Sequence, residues 1–230
     1  MKLKQNINVA VDGIIFGYQD HTLNVLLIKQ KYGSQKNKWA LPGGFVKDDE
    51  PLIEAVRREV KEETGVEVQY LEQLYTFGDE IDRDPRFRVV SVAYFGTVNP
   101  KHMNLEATTD ALEAKWYEMN NIPTLAFDHN KIITIALDRL RAKLNYQPVG
   151  FNLLDAKFPF SDLEQLYMTI LDRAIDRRNF RKKILSLGFL EETEEYHQSG
   201  SGRPGKLFRF NSQKYKELEQ KGINLDIKFA

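Results

Sequence analysis

The sequence contains no cysteine. That excludes disulfides, thiolate zinc sites and a cysteine nucleophile, and it agrees with a reducing compartment. There is no excess of either charge: 33 Lys and Arg face 33 Asp and Glu. Any polyanion partner must therefore be argued from local clusters. No run approaches the roughly 18 apolar residues of a membrane span. The start, Met1-Lys2-Leu3-Lys4-Gln5-Asn6, lacks the apolar core of a signal peptide, so a cytoplasmic protein without a membrane partner is expected. Internal repeats and low-complexity tracts are absent. What remains is 230 residues, enough for one large or two modest domains.

The richest stretch runs from Gly44 to Val66. Gly44 and Glu50 precede Arg58-Glu59-Val60-Lys61-Glu62-Glu63-Thr64-Gly65-Val66. Asp48, Asp49 and Glu50 offer acceptors at a helix start, and Pro51 suits a first helical turn. Residues 52 to 64 hold no Pro or Gly, and Gly65 then supplies a left-handed stop. Glu59, Glu62 and Glu63 stand at i, i+3 and i+4, so their carboxylates share one face. A hard divalent cation such as Mg²⁺ or Mn²⁺ relieves their mutual repulsion with oxygen ligands. Ile53, Val56 and Val60 make the apolar stripe that anchors the helix. Arg58 is within reach of Glu50, Glu54 or Glu62. Gly43-Gly44 lets backbone approach the site, making the Gly43 carbonyl a further candidate ligand. A solvated acidic helix face is the plainer alternative, but it leaves the two boundary glycines unexplained.

Outside this stretch, residues 7 to 18 read as a strand with a bulge candidate at Asp12-Gly13. Asp20-His21 reads as a turn, and residues 23 to 30 as its partner strand. Residues 66 to 77, 87 to 98 and 114 to 119 read as further strands, and 130 to 144 as an amphipathic helix. Such a series suggests a mixed sheet between helical layers. Phe127-Asp128-His129 reads as a cap for that helix rather than as a chemical site. The four histidines do not cluster and read as surface or core residues.

The character changes after residue 147, which gives expected domains of 1–147 and 148–230. Ser161 with Glu164 reads as a capping box. A second helix from about Asp176 to Leu187 carries Arg177, Arg178, Arg181, Lys182 and Lys183, with Phe180, Ile184 and Leu187 facing the core. Residues 189 to 196 and 207 to 211 read as strands joined by a Gly-rich loop carrying Arg203 and Lys206. This order looks like a winged helix: a basic reading helix for the major groove, then a basic wing. The expected DNA contacts are Arg177, Arg178, Arg181, Lys182, Arg203 and Lys206. The alternative is a small helical subdomain whose basic face pairs with Glu191, Glu192, Glu194 and Glu195.

The acidic stretch resembles the Nudix box of metal-dependent hydrolases that cleave a diphosphate linked to another group. The resemblance implies an α/β/α sandwich with a mixed sheet. It implies Gly43, Glu59, Glu62 and Glu63 as metal ligands, and Gly44, Glu50, Arg58 and Gly65 as structural positions. The catalytic set would be Glu62, Glu63 and a base on a loop outside the box, Asp110 or Glu113, with Asp110 favoured. Residues 71 to 78 with Asp82-Arg83-Asp84-Pro85-Arg86 resemble ADP-ribose pyrophosphatases. There Arg83, Arg86 and Arg88 are candidate phosphate clamps, surface pairing with Asp82 and Asp84 being the equal alternative. The chain as a whole resembles the Nudix-related bacterial regulators of the NrtR group, through residues 151 to 154 and 176 to 183. That group implies a homodimer, a double-stranded DNA operator, and an effector such as ADP-ribose whose binding loosens the DNA complex. Members of the group often carry an eroded box; this one is complete, so retained pyrophosphatase activity is expected. Two other readings stay open: an enzyme whose winged half is only structural or dimerising, and a non-hydrolysing repressor sensing ADP-ribose or a sugar such as arabinose.

Overall fold

The computed structural model describes residues 6–107, 111–147, 150–198, 204–222 and 227–230. The chain divides into two compact units, residues 1–137 and 138–230. Among the described residues no helix is long and apolar enough to cross a membrane.

The first unit is built on a mixed sheet. Its path is β3 (Trp39–Ala40), β2 (Thr22–Gln30), β1 (Asn8–Gln19), β6 (Val89–Val98) and β5 (Leu71–Phe77). Short β4 (Gly43–Phe45) pairs with β1, and β7 (Ala111–Glu118) pairs with β2. Strand β1 is central and buried from Val11 to Tyr18, which is why its apolar residues run on without strict alternation. Asp20 and His21 both take positive φ, 50° and 61°, as a two-residue hairpin between β1 and β2 demands.

The bulge expected at Asp12-Gly13 does not form. β1 pairs in parallel with β6 without a register break from Asn8 opposite Val89 to Gly17 opposite Val98. Gly13 serves packing instead: a Cβ there would lie 2.6 Å from Val60 Cγ2. Helix α1 (Leu52–Thr64) thereby lies close on the sheet, and Val56 and Val60 share a core cluster with Val11 and Ile15. Asp12 alternates to the opposite face, where it meets His129, the first residue of helix α2 (His129–Leu144). The strand expected from residue 66 begins only at Leu71, because the left-handed exit at Gly65 leads into coil.

The second unit holds strand β8 (Phe158–Pro159), helices α3 (Phe160–Leu171) and α4 (Arg177–Ser186), strands β9 (Leu190–His197) and β10 (Gly205–Phe210), and helix α5 (Ser212–Lys221). The three strands form an antiparallel sheet in the order β8-β10-β9. Aromatic rings fill its core. Phe151 stacks on Phe210 at 4.2 Å, Tyr167 lies 4.8 Å from Phe180, and Phe160 meets Phe208 edge-on. The Ser161 capping box does not form. Phe158-Pro159 is drawn into the sheet against β10, so Pro159 becomes the N-cap and Ser161 falls inside the helix. β8 and α5 had no counterpart in the sequence reading.

Candidate functional site

The acidic stretch folds as a loop, helix and left-handed exit. Pro51 is the N-cap of α1 rather than a first-turn residue, and no side chain caps it. Glu50 has another task. Its Oε1 accepts the Lys47 backbone N–H at 2.9 Å, and its two oxygens take Arg58 Nη2 at 2.6 Å and Nε at 2.9 Å. Arg58 reaches onward to Glu59 Oε1 at 2.7 Å and Glu62 Oε2 at 3.2 Å through Nη1. Glu54, the third partner the spacing offered it, pairs with Arg57. Gly65 takes φ 76°.

Two glycines set the opposite wall. The Gly43 N–H donates to Glu63 Oε2 at 2.8 Å. A Cβ on Gly43 would lie 2.2 Å from the Val11 carbonyl, and one on Gly44 would lie 2.5 Å from Glu59 Oε1. Only glycines let this backbone come so near the carboxylates.

The electrostatics divide the glutamates. The Arg58 hydrogen bonds, then the Lys47 N–H, hold Glu50 down to about 2. Burial pushes Glu59 above the usual carboxylate range despite Arg58 beside it. Arg58 itself is held above its ordinary value, first by Glu50. Among the described residues no three Asp, Glu or His side chains are set as a metal cage. The donor chemistry is nonetheless all oxygen, and Glu59 and Glu62 already converge on one cationic nitrogen of Arg58. That set fits a hard divalent cation.

Gly43, Gly44, Arg58, Glu59, Glu62 and Glu63 line a cleft of about 580 Å³, together with Arg86 and the rings of Phe45 and Phe127. Arg86 is fixed by a bidentate pair with Asp84, at 3.0 and 2.7 Å, and its guanidinium lies 5.8 Å from the Phe45 ring and 5.6 Å from Phe127. Arg83 is different. Its side chain is only 5% exposed and is bound by Asp128 at 2.6 and 3.0 Å, with Asp12 at 3.6 Å. Arg86 thus pairs with Asp84, as the sequence alternative had it, but Asp84 is buried and the pair is not a surface one. Arg88 does not line the cleft; it donates to the Gly78 carbonyl at 2.7 Å. Glu113 is exposed on β7 and does not line the cleft either. Asp110 lies outside the described residues.

Beneath the cleft is a buried polar network that sequence reasoning missed. The Leu41 N–H donates to His129 Nδ1 at 2.9 Å. That fixes the acceptor, so the ring proton sits on Nε2, which faces Asp12 Oδ1 at 3.4 Å. Burial holds His129 below its usual value. Asp12 also accepts from Ser91, and Asp128 gives its carboxylate to Arg83 rather than to the start of α2. The one sequence signal was an aspartate inside a strand of otherwise apolar residues.

In the second unit, Asp176 is the N-cap of α4 and accepts the Asn179 N–H at 3.1 Å. Phe180 and Ile184 are buried, which turns Arg178 and Lys182 to the outer face. Neither carries an ion pair among the described residues. Arg177 reaches back to Glu164 at 3.5 Å, and Arg181 stacks over Phe160 at 4.4 Å. Lys206 pairs with Glu192 at 3.0 Å across the hairpin, and Glu191 pairs with Arg209. Glu191 and Glu192 thus pair across their own hairpin and Glu195 pairs with Lys157, so these three glutamates do not neutralise α4. Arg203 lies outside the described residues.

Known proteins place both units. The NUDIX domain model matches residues 7–135, and the NrtR DNA-binding winged helix domain model matches residues 150–210. The chain is 33% identical over 211 residues to the ADPR responsive transcriptional repressor NtrR of Acinetobacter baylyi, spanning 90% of this chain and 83% of that one. It is 46% identical over 125 residues to the ADP-ribose pyrophosphatase of Methanocaldococcus jannaschii, covering 54% of this chain and 70% of that protein. The crystal structure of Shewanella oneidensis NrtR complexed with a 27mer DNA superposes with a TM-score of 0.78 at 29% identity, over 90% of this chain and 95% of that one. The chain belongs to the Nudix family, in the NrtR group that joins a Nudix domain to a DNA-binding winged helix.

Proposed function

We propose that this chain is a ligand-responsive transcriptional regulator whose Nudix half also hydrolyses its ligand. The ligand is ADP-ribose or a related nucleoside diphosphate compound, and the products from ADP-ribose are AMP and ribose 5-phosphate. Residues 1–147 bind and cleave it; residues 148–230 bind a double-stranded operator, in a cytoplasmic homodimer. The observation that carries this reading is the intact box geometry: Glu59, Glu62 and Glu63 face one cleft beside Gly43-Gly44, in a chain that also presents a basic α4.

Glu59, Glu62, Glu63 and the Gly43 carbonyl would hold Mg²⁺ or Mn²⁺. When bound, the ion supplies Lewis-acid polarisation of phosphorus and a more acidic water. The chain does the rest. Arg58 and Glu50 fix the box helix against its entry loop. Arg86, its Nε and Nη2 held by Asp84, lines the cleft and offers its remaining N–H groups to a phosphate. Arg83 supports the cleft floor from below, and Arg88 holds the end of the loop at Gly78. The proton goes to a carboxylate, Glu62, Glu63 or Asp110. On the second half, Arg178 and Lys182 face the operator, with Arg177, Arg181 and Lys206 at its edges; Arg203 is a further contact. The test is AMP release from ADP-ribose with Mg²⁺ or Mn²⁺: turnover that survives replacement of Glu62 and Glu63 by Gln removes the hydrolase half of the reading.

A further inference from the structure

The segment Ile227–Ala230 lies beyond the residues that the winged helix model matches, yet it is tied to the helix-turn-helix. The Asp176 N–H donates to the Lys228 carbonyl at 2.9 Å, and the Ala230 N–H donates to the Ala174 carbonyl at 3.1 Å. Ile175 and Phe229 form an antiparallel bridge. The Phe229 ring lies under the Arg173 guanidinium at 4.0 Å. Exposure alternates along the segment: Ile227 and Phe229 are half-buried, Lys228 and Ala230 exposed. It is thus an extended segment, bridged to the turn between α3 and α4, with two half-buried apolar residues and one exposed lysine.

Its position sets that residue against the start of α4. Asp176 is the N-cap of α4, so Lys228 is bonded to the very start of the helix with the basic outer face. Lys228 and Ile227 line one groove of about 240 Å³ with Asn179, Lys182 and Lys183. None of the three lysines carries an ion pair among the described residues. In helix-turn-helix modules the reading helix enters the major groove by its N-terminal end, and phosphates flank that end. An ammonium fixed beside it meets the backbone, not the base edges.

We propose that the extended segment Ile227–Ala230 is part of the DNA-binding surface, with Lys228 a phosphate contact held in place by Phe229 on Arg173. This rests on the DNA-binding reading above and adds to it a contact outside the helix and wing.

The test measures binding of the full chain to a fluorescent duplex from its own upstream region, and to a scrambled duplex of equal length, across a range of KCl. Each neutralised phosphate contributes about 0.9 to the slope of log K against log salt. Lys228→Ala is expected to bind both duplexes several-fold more weakly and to lose about 0.9 from that slope. Phe229→Ala keeps every lysine but frees the segment, and is expected to lose the same increment with α4 and the thermal unfolding of the rest unchanged. If the unaltered chain binds and Lys228→Ala matches it in slope and affinity, this inference is overturned. If the unaltered chain binds neither duplex at low salt, the failure lies in the DNA-binding reading itself.

Discussion

Arg58 grips Glu50 with two hydrogen bonds, at 2.6 and 2.9 Å, while its remaining nitrogen holds Glu59 and Glu62. One guanidinium therefore ties the entry loop to α1 and orders two of the three ladder carboxylates. Glu50 is held down to about 2 from its ordinary 4.5. A group depressed in the folded chain adds stability above its unfolded value, and that stability fades as pH falls through the folded one. Between pH 4.5 and about 2, the melting temperature of the unaltered chain should drop more steeply than that of Glu50→Gln. Parallel curves would show that the pair contributes nothing to folding.

Glu63→Gln separates charge from shape. The amide oxygen still accepts the Gly43 N–H, so the loop keeps its place. The negative charge is gone. Metal-dependent AMP release should fall by about a hundredfold or more, with the circular dichroism spectrum unchanged. Full activity in this variant would remove Glu63 from the active set.

His129 gives a second pH signature. Burial depresses it below 6.5, so below that pH the unfolded chain takes up a proton that the folded chain refuses. Stability should decline as pH falls below 6.5, and His129→Asn should flatten that part of the curve. Asn keeps an acceptor for the Leu41 N–H, whereas His129→Ala does not and should be the less stable of the two at neutral pH. Urea midpoints across pH 5 to 8, roughly the range where histidine titrates, decide this.

The Arg83–Asp128 pair is buried and bidentate, so removing one partner strands the other. Arg83→Ala should cost about 3–5 kcal/mol of unfolding free energy. The double variant with Asp128→Ala should lose less than the two singles added together. Additive losses would mean the two side chains do not depend on each other.

Gly13→Ala probes the packing of α1 on β1. The new methyl would meet Val60 Cγ2 at 2.6 Å, and the helix must give way. A loss of about 1–3 kcal/mol is expected, read by urea unfolding. A neutral substitution would show that the helix is not seated this closely.

What the sequence disclosed, and what it hid, follows sequence distance. The box was legible because its parts are local: Glu50, Arg58 and Gly65 act through bonds within one loop and one helix. The start of α4 near Asp176 and its buried Phe180 and Ile184 were legible for the same reason. The floor of the cleft was not. Asp12, Arg83 and the adjacent pair Asp128-His129 come from three places along the chain and meet only once the sheet has formed. Ser161 misled because a strand pairing, set by β10, shifted the helix start to Phe160. Arg83 and Arg86 look equivalent in sequence; only burial separates the one on the floor from the one at the wall.

The central claim is that one chain couples a nucleotide cleft to an operator. Fluorescence anisotropy of the upstream duplex, titrated with the full chain with and without saturating ADP-ribose, tests it most directly. The account predicts that ADP-ribose weakens the DNA complex by about 5- to 150-fold, the usual range of allosteric coupling. Identical curves with and without ADP-ribose would contradict it.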